Sequence, residues 1–428
     1  MRDLLLGSII AYCVLRAFTS PAIGILSWTV LSIMNPHQYG WLLAKMPVAA
    51  AVAIATMIGI LLTREPRSFP VTRETVVLML FMLWVCITLP FSFSFDGSID
   101  MWKKVMKIDF MILLAMVVLH TREHIMALAW ALAGSIGFFG FKGGLFTLLT
   151  GGNYRVWGPD STFIEGNNEI ALALVIAIPL LRFLQMNTTK RWIRHGLTAT
   201  MLLSAIAALG THSRGALLAI GVMALVMWWR SRNKLWTGLL LVGIGAAMLA
   251  FMPAEWTSRM ETIGEYQQDE SAMGRINAWW MAWNLANHNF FGGGFDIYNL
   301  QQFAAYAPNP GDVHAAHSIY FQVLGEHGFV GLFLFLLMWF LVWRSANKLR
   351  KDGKQRPETQ WVADLGAMCQ VSLAGYAVGG AFLSLAYFDL PYNILILVVL
   401  GRRWIDNEGW RTDNAPLNFF GKPKKTGT

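Results

Sequence analysis

Gly311-Asp-Val-His314-Ala-Ala-His317-Ser-Ile-Tyr-Phe-Gln-Val-Leu-Gly-Glu326-His-Gly328-Phe-Val-Gly331 joins a long polar loop to a strongly apolar run. On its N-terminal side, Pro308-Asn309-Pro310-Gly311 combines the residue types of a rigid turn. On its C-terminal side, 318–343 is long enough to cross a bilayer, which takes about 20 helical residues at ~1.5 Å each. His314 and His317 therefore stand where water gives way to hydrocarbon. An imidazole titrates near neutral pH, so this boundary is the first place to look for chemistry.

Working outward, the same apolar character recurs along the whole chain. The protein has 428 residues, 55% of them hydrophobic and 14% charged, where soluble domains are about 25% charged. Apolar runs occupy 4–18, 21–35, 46–62, 74–92, 105–119, 124–149, 168–186, 192–210, 214–229, 235–252, 318–343, 361–385 and 388–400. This pattern predicts an all-α polytopic membrane protein with about twelve transmembrane helices. The first 35 residues leave the count open between thirteen crossings and twelve, and a re-entrant hairpin or one broken helix at Ser20-Pro21 would each give twelve. Arg16 interrupts the first run and no small-residue cleavage site follows, so an uncleaved first helix is expected. Cys13, Cys86 and Cys369 all lie in apolar runs and read as buried thiols, not disulfides or ligands.

Lys and Arg number 34 against 25 Asp and Glu. Basic clusters at 63–73, 121–124, 190–194, 230–234, 344–356 and in the tail fall on alternate connections, as a cytoplasmic side requires. The opposite side then holds the 36–45, 93–104, 151–167 and 253–316 loops. Lys103, Lys104 and Lys107 are an exception to the charge rule there. The expected divisions are an N-terminal helical region 1–252, one long outer loop with surface helices 253–316, C-terminal helices 317–405 and a tail 406–428. No basic patch is interleaved with a soluble fold, so nucleic acid is not an expected partner.

Basic residues on the outer side call for a reason other than orientation. Arg214 opens an apolar run in Thr211-His212-Ser213-Arg214-Gly215. It reads either as a structural ion pair or as an anion ligand whose planar fork suits phosphate. Arg275 starts a segment carrying Trp279, Trp280 and Trp283, which reads either as an interfacial anchor or as a wall over a lipid or sugar. Arg155 and Arg259 are further outer-side cations, and Lys142 either snorkels or faces an anion. Gly134, Gly137, Gly140, Gly143 and Gly144 predict close helix packing. His317 is read as the start of a helix whose face includes Phe321, Leu324 and Gly328. Glu326 is placed on the far side of that helix, ~13 Å deeper, in a structural role. Phosphate-loop, Asp-x-Asp and His-Glu-x-x-His patterns do not occur.

Laid in order, these residues resemble the O-antigen ligase and polymerase superfamily. His317-Ser-Ile-Tyr320 with Leu324-Gly-Glu326-His-Gly328 is similar to its His-x-x-Tyr…Leu…Glu-x-Gly motif, and Ser213-Arg214-Gly215 to its Ser-Arg-Gly motif. Gly274-Arg275 with Trp279 resembles its loop arginine, and His288-Asn289-Phe-Phe-Gly292-Gly-Gly294 its His-Pro-x-x-Gly-x-Gly turn, with Asn289 in place of proline. The resemblance covers roughly residues 150–400. Leu31 to His37 and Arg155 to Pro159 resemble the exosortase-associated ligase branch.

The resemblance implies a GT-C-like glycosyltransferase of the bacterial inner membrane with its active site facing the periplasm. Its donor would be a glycan on undecaprenyl diphosphate and its acceptor the lipid A core, with no cofactor and no metal. His317 would be the catalytic base, and Arg214 and Arg275 the diphosphate ligands. Arg155, Lys142 and His314 would be supporting residues, and membrane lipids the surroundings. A polymerase and a protein O-oligosaccharyltransferase keep the same donor chemistry, and a lipid-linked sugar transporter is the alternative of another class.

Overall fold

The computed structural model describes residues 2–230, 233–261 and 270–413. Arg232, Lys422 to Lys425, and the side chains of Arg230 and Arg259 lie outside the described set. Among the described residues every regular element is helical: α1 (Arg2–Thr19), α2 (Pro21–Met34), α3 (Val48–Leu62), α4 (Arg73–Thr88), α5 (Phe95–Val118), α6 (Arg122–Leu149), α7 (Asn167–Met186), α8 (Arg191–Gly210), α9 (Arg214–Arg230), α10 (Lys234–Phe251), α11 (Ala254–Glu261), α12 (Glu270–His288), α13 (Leu300–Tyr306), α14 (Ile319–Asp352), α15 (Gln360–Gly379) and α16 (Asp389–Asp406). Seven of them are long and apolar enough to cross a membrane, and Pro21–Met34, Val48–Leu62 and Arg214–Trp229 are shorter apolar helices. The chain is thus a multi-pass membrane protein.

Two helices form the centre of the bundle because they are apolar right round, a composition that only a fully surrounded helix tolerates. These are α7, buried from Ile170 to Leu181, and α16, buried from Leu390 to Leu400. Peripheral helices turn large apolar side chains outward, as Leu239, Leu240 and Val242 of α10 do. The glycine stripe of α6 serves close packing: a Cβ at Gly144 would lie 2.2 Å from the Leu203 carbonyl of α8, and one at Gly140 would strike Ser204.

The start of the chain is a hairpin. The Asp3 carboxylate accepts hydrogen bonds from the Trp41, Leu42 and Leu43 amides at 3.2–3.3 Å, just beyond the end of α2. At the other end, Ala17 packs on Gly24 and Gly59. The helices α1 and α2 therefore run antiparallel, and Ser20-Pro21 is a reversal, not a break in one helix.

The helix α14 is broken at Gly328, whose φ of 68° and ψ of −172° lie outside helical geometry. A break frees carbonyls that must find other donors. Gly293 N–H donates to the Gly325 carbonyl (2.9 Å), Gly294 N–H to Glu326 (3.0 Å) and Trp84 Nε1–H to His327 (2.8 Å). The Gly292–Gly294 turn thus splices into the break, and Gly328 has no room for a Cβ, which would lie 2.3 Å from the Phe290 carbonyl.

The segment before the break lies across the bundle. It begins at Ile319 against Gly380, with Tyr320 Oη donating to Ala377 at the end of α15, and finishes with His327 Nδ1 2.8 Å from Thr88 Oγ1 at the end of α4. Both helix ends belong to the same side, so Glu326 is displaced sideways from His317 and not carried deeper. Its carboxylate is buried and hydrogen-bonded by Tyr387 and Gln322, in keeping with a structural role.

Candidate functional site

His317 stands just outside α14. Ser318 is the residue that caps the helix N-terminus, and His317 has φ 43°, in the left-handed region that side chains rarely occupy. The helical-face relation read from the sequence therefore does not apply to it. Strain of this kind persists only where the surroundings hold it, and here two side chains of α12 do. Asn277 of α12 donates to the Asn309 (2.8 Å) and Asp312 (2.9 Å) carbonyls and accepts from Asn309 N–H (2.9 Å). Trp279 Nε1–H donates to the Ala316 carbonyl (2.7 Å), and its ring stacks on Phe321 with centroids 5.1 Å apart. The Trp-bearing helix is thus the clamp that presents the histidine loop. Trp280 and Trp283 point outward instead.

Around His317 the chain gathers a carboxylate, a guanidinium and a second imidazole. Glu169 Oε1, in the first turn of α7, lies 3.8 Å from His317 Nδ1, and the side chains are 16% and 32% exposed. Arg275 faces both groups closely enough to perturb their charge. His314 Nδ1 lies 2.8 Å from Asp312 Oδ1, and its ring rests on Gly274, where a Cβ would be 2.6 Å from it. Glycine is required before Arg275 because the His314 ring occupies the space of a side chain. The pKa of His317 is pushed down to about 4, first by burial and then by the positive charges of Arg275 and His314. The ring is neutral at pH 7, so it can accept a proton. With Nδ1 turned to Glu169, Nε2 is the atom left for a substrate.

Arg214 begins α9 on the same side. Gly215 packs on Phe382, and Gly380 packs on Ile319, so the start of α9 and the start of α14 flank one short turn. The Arg214 loop repeats the local device seen at His317: His212 has φ 58° immediately before the helix. His212 Nε2 bonds the Gly152 carbonyl at 2.9 Å, and Asn167, at the head of α7, donates to the Thr211 carbonyl at 2.8 Å. The Arg214 loop and the Glu169 turn are thereby tied together.

Lys142 and Arg155 line a groove of 460 Å³ with Tyr39, Trp157 and Asp160. The Arg155 loop abuts the Arg214 loop through Val156 N–H and the Gly210 carbonyl (2.9 Å). The structure therefore joins His317, His314 and Arg275 directly, brings Arg214 to their side, and sets Arg155 and Lys142 behind it. Sequence reading missed Glu169. Its signal was weak: Asn167-Asn168-Glu169 is a polar triplet opening an apolar helix, where an acidic residue in the first turn is ordinary. Among the described residues no three His, Cys, Asp or Glu side chains converge as a metal set.

Fold and site together define a multi-pass helical membrane protein with a histidine–carboxylate–arginine cluster at one end of its bundle. The chain carries a domain of the family described as O-Antigen ligase, matched over residues 199–336. A family of unknown function matches residues 1–189. No curated protein matches the chain. The cluster straddles these regions: Arg214, Arg275, His314 and His317 come from the ligase domain, and Glu169 from the other.

Proposed function

We propose that the protein is an inverting O-antigen ligase, a glycosyltransferase that moves a glycan from undecaprenyl diphosphate to the lipid A core. On this reading it crosses the bacterial inner membrane about twelve times in a GT-C-like arrangement, with the site facing the periplasm. The observation that carries it is the Glu169–His317–Arg275 cluster inside and beside the ligase domain.

The chemistry follows from the groups present. Arg275 and Arg214 bind the diphosphate, and their forks stabilise the charge that grows on it as the glycosidic bond breaks. His317 Nε2 takes the proton of the acceptor hydroxyl while that oxygen attacks the anomeric carbon from the opposite face. One carbon–oxygen bond forms as the carbon–oxygen bond to diphosphate breaks, which inverts the anomeric centre. Undecaprenyl diphosphate leaves with the electron pair, and His317 later returns its proton to water. Glu169 holds Nδ1–H and balances the imidazolium. Their 3.8 Å separation is longer than a hydrogen bond, and catalytic contacts of this kind tighten when substrate arrives.

Donor binding also tunes the base. Burial and then the Arg275 charge hold His317 near pKa 4. A diphosphate on Arg275 cancels that repulsion and makes the imidazole a stronger base when the acceptor is present.

The test is transfer in vitro with purified protein and undecaprenyl-diphosphate glycan, offering lipid A core, a serine- or threonine-containing peptide and a second lipid-linked glycan as rival acceptors. Glycan on the lipid A core is expected. Product on the peptide would instead identify a protein O-oligosaccharyltransferase, and product on the second glycan a polymerase. His317→Ala should abolish transfer while the protein stays folded in the membrane. EDTA should leave the rate intact. Transfer by the His317 variant at the wild-type rate would remove the assigned base.

A further inference from the structure

The three lysines that break the charge rule meet in a cavity. A 590 Å³ pocket lies between α2, α3 and α5 and is closed on one side by the 161–164 turn and Phe388. Its polarity changes in the same direction along the α5 and α2 walls. On α5, Lys103, Lys104 and Lys107 give way to Ile108, Phe110 and Met111. On α2, the polar end is Ser32 and Asn35 and the deeper part is Trp28 and Leu31. The α3 wall descends from Ala49 through Ala53 to Met57 and carries no charge. This wall is about 12 Å long at ~1.5 Å per residue. The polar ends all belong to the side of the bundle that holds His317.

We propose that this pocket is a binding site for a phosphorylated lipid, separate from the diphosphate site at Arg275. Charge selects the head: three lysines line the mouth against Asp100, and the buried Asp389 carboxylate faces Lys104 from behind the wall, which leaves the mouth net positive. Asp100 lies 3.1 Å from Lys103 and is exposed, so it shields only one of them. Lys104 is held in place by the Phe163 ring, whose centroid is 3.8 Å from Nζ. Shape and apolarity select the tail, which lies along α3 and meets the bilayer where Ile54 and Phe110 are exposed. A soluble phosphate would satisfy the mouth and leave the apolar wall wet, and a neutral lipid would do the reverse.

The pocket also communicates with the catalytic cluster. The turn bearing Phe163 and Ile164 runs directly into α7, whose first turn carries Glu169. Phe163 packs on Phe388 (6.4 Å between centroids), next to Asp389, which accepts a hydrogen bond from Ser32 at 2.6 Å. A lipid whose head sits on these lysines is delivered beside the histidine site without occupying it. This rests on the ligase reading only for what the lipid is used for, not for its binding.

Native mass spectrometry of the protein in nanodiscs tests the site, comparing retention of phosphatidylglycerol, lipid A and phosphatidylcholine of matched chain length, with inorganic phosphate as competitor. The wild type should retain the phosphorylated lipids over phosphatidylcholine. The triple variant K103Q/K104Q/K107Q should reduce that preference by at least about tenfold, since each lysine near a membrane surface contributes measurably to anionic-lipid binding. A control triple, K190Q/R191Q/R194Q, makes the same change of charge on other cations and should leave it intact. Ala53→Trp, which fills the tail channel, should release the lipid with the lysines unchanged, and His317→Ala should bind as the wild type does. Equal retention of neutral and phosphorylated lipids, equal effects of the two triples, or full displacement by inorganic phosphate would each overturn the proposal. Failure of glycan transfer would not bear on it, since binding is read without turnover.

Discussion

Glu169→Gln isolates the contact that sequence reading did not anticipate. The substitution keeps size and polarity but removes the charge 3.8 Å from His317 Nδ1. Unit charges about 4 Å apart interact by about 4 kcal/mol at an effective dielectric near 20. Solvent reaches both partners, at 16% and 32% exposure, so roughly 1.5–3 kcal/mol should survive as stabilisation of the imidazolium formed in the transition state. That corresponds to a fall in kcat of about 10- to 100-fold. If the donor is held by Arg275 and Arg214 as proposed, its KM should change little. The assay is single-turnover transfer at saturating donor, quenched on the second scale and read by the shift of the labelled acceptor. Glu169→Asp should keep part of the activity, since the charge remains but is withdrawn by one methylene. A Glu169→Gln rate within about twofold of wild type would refute the dyad, and an unchanged kcat with a raised KM would move Glu169 to donor binding.

Arg275→Gln should raise the His317 pKa from about 4 towards the ordinary value of 6.5, because it deletes a repelling cation. The acidic limb of kcat/KM should move upward in pH while the maximum falls, and an unmoved limb would mean that Arg275 does not face the base. The folded-state pKa of His317 lies below its unfolded value, so the unfolded chain takes up the proton first. His317 therefore withdraws stability as pH falls from about 6.5 towards 4, and Arg275→Gln should flatten that part of the melting curve. Gly328→Ala should destabilise by about 3 kcal/mol or more, from positive φ and a Cβ 2.3 Å from the Phe290 carbonyl. Gly134→Ala, with nothing within 4 Å of the new methyl, should be neutral or slightly stabilising by the same thermal assay. Asn277→Ala should lose about 1–3 kcal/mol by stranding the amide and carbonyls of 309–312, and hydrogen exchange should then quicken in the loop that carries His314 and His317.

Much of this fold was legible because membrane helices announce themselves by length and hydropathy. Every apolar run became a helix, and Gly137, Gly140, Gly143 and Gly144 of α6 sit against α8 as their spacing implied, whereas Gly134 lies one turn too early and faces open space. What was not legible depends on contacts between distant segments. The continuous pattern of 318–343 gave no sign of a break, because Gly328 looks like any packing glycine in sequence. Its geometry is imposed by a turn some 35 residues earlier, whose amides replace the helix's own donors. The lateral course of Ile319–His327 has the same origin, and it changed the position of Glu326 from deep to sideways. The reversal at Ser20-Pro21 was likewise decided by Asp3 reaching the amides after α2, a contact invisible to periodicity.

The site shows the same division of labour at the level of chemistry. Arginines and histidines at this end of the bundle stand out in a chain that keeps most of its cations at the other, so His317, Arg275 and Arg214 could be singled out individually. A carboxylate in the first turn of a helix does not stand out, because helix electrostatics already accounts for it. Glu169 acquires meaning only when α7, buried on all sides, carries it to the mouth of α14. The same helix fixes Arg214 through Asn167 and Thr211. The region matched only by a family of unknown function is therefore more than a membrane anchor for the ligase domain. It supplies the acidic partner of the candidate base, the turn that ties the second arginine loop, and nearly all of the lysine-lined pocket. Changes confined to residues 1–189 should accordingly reach catalysis, through Glu169, as directly as changes in residues 199–336.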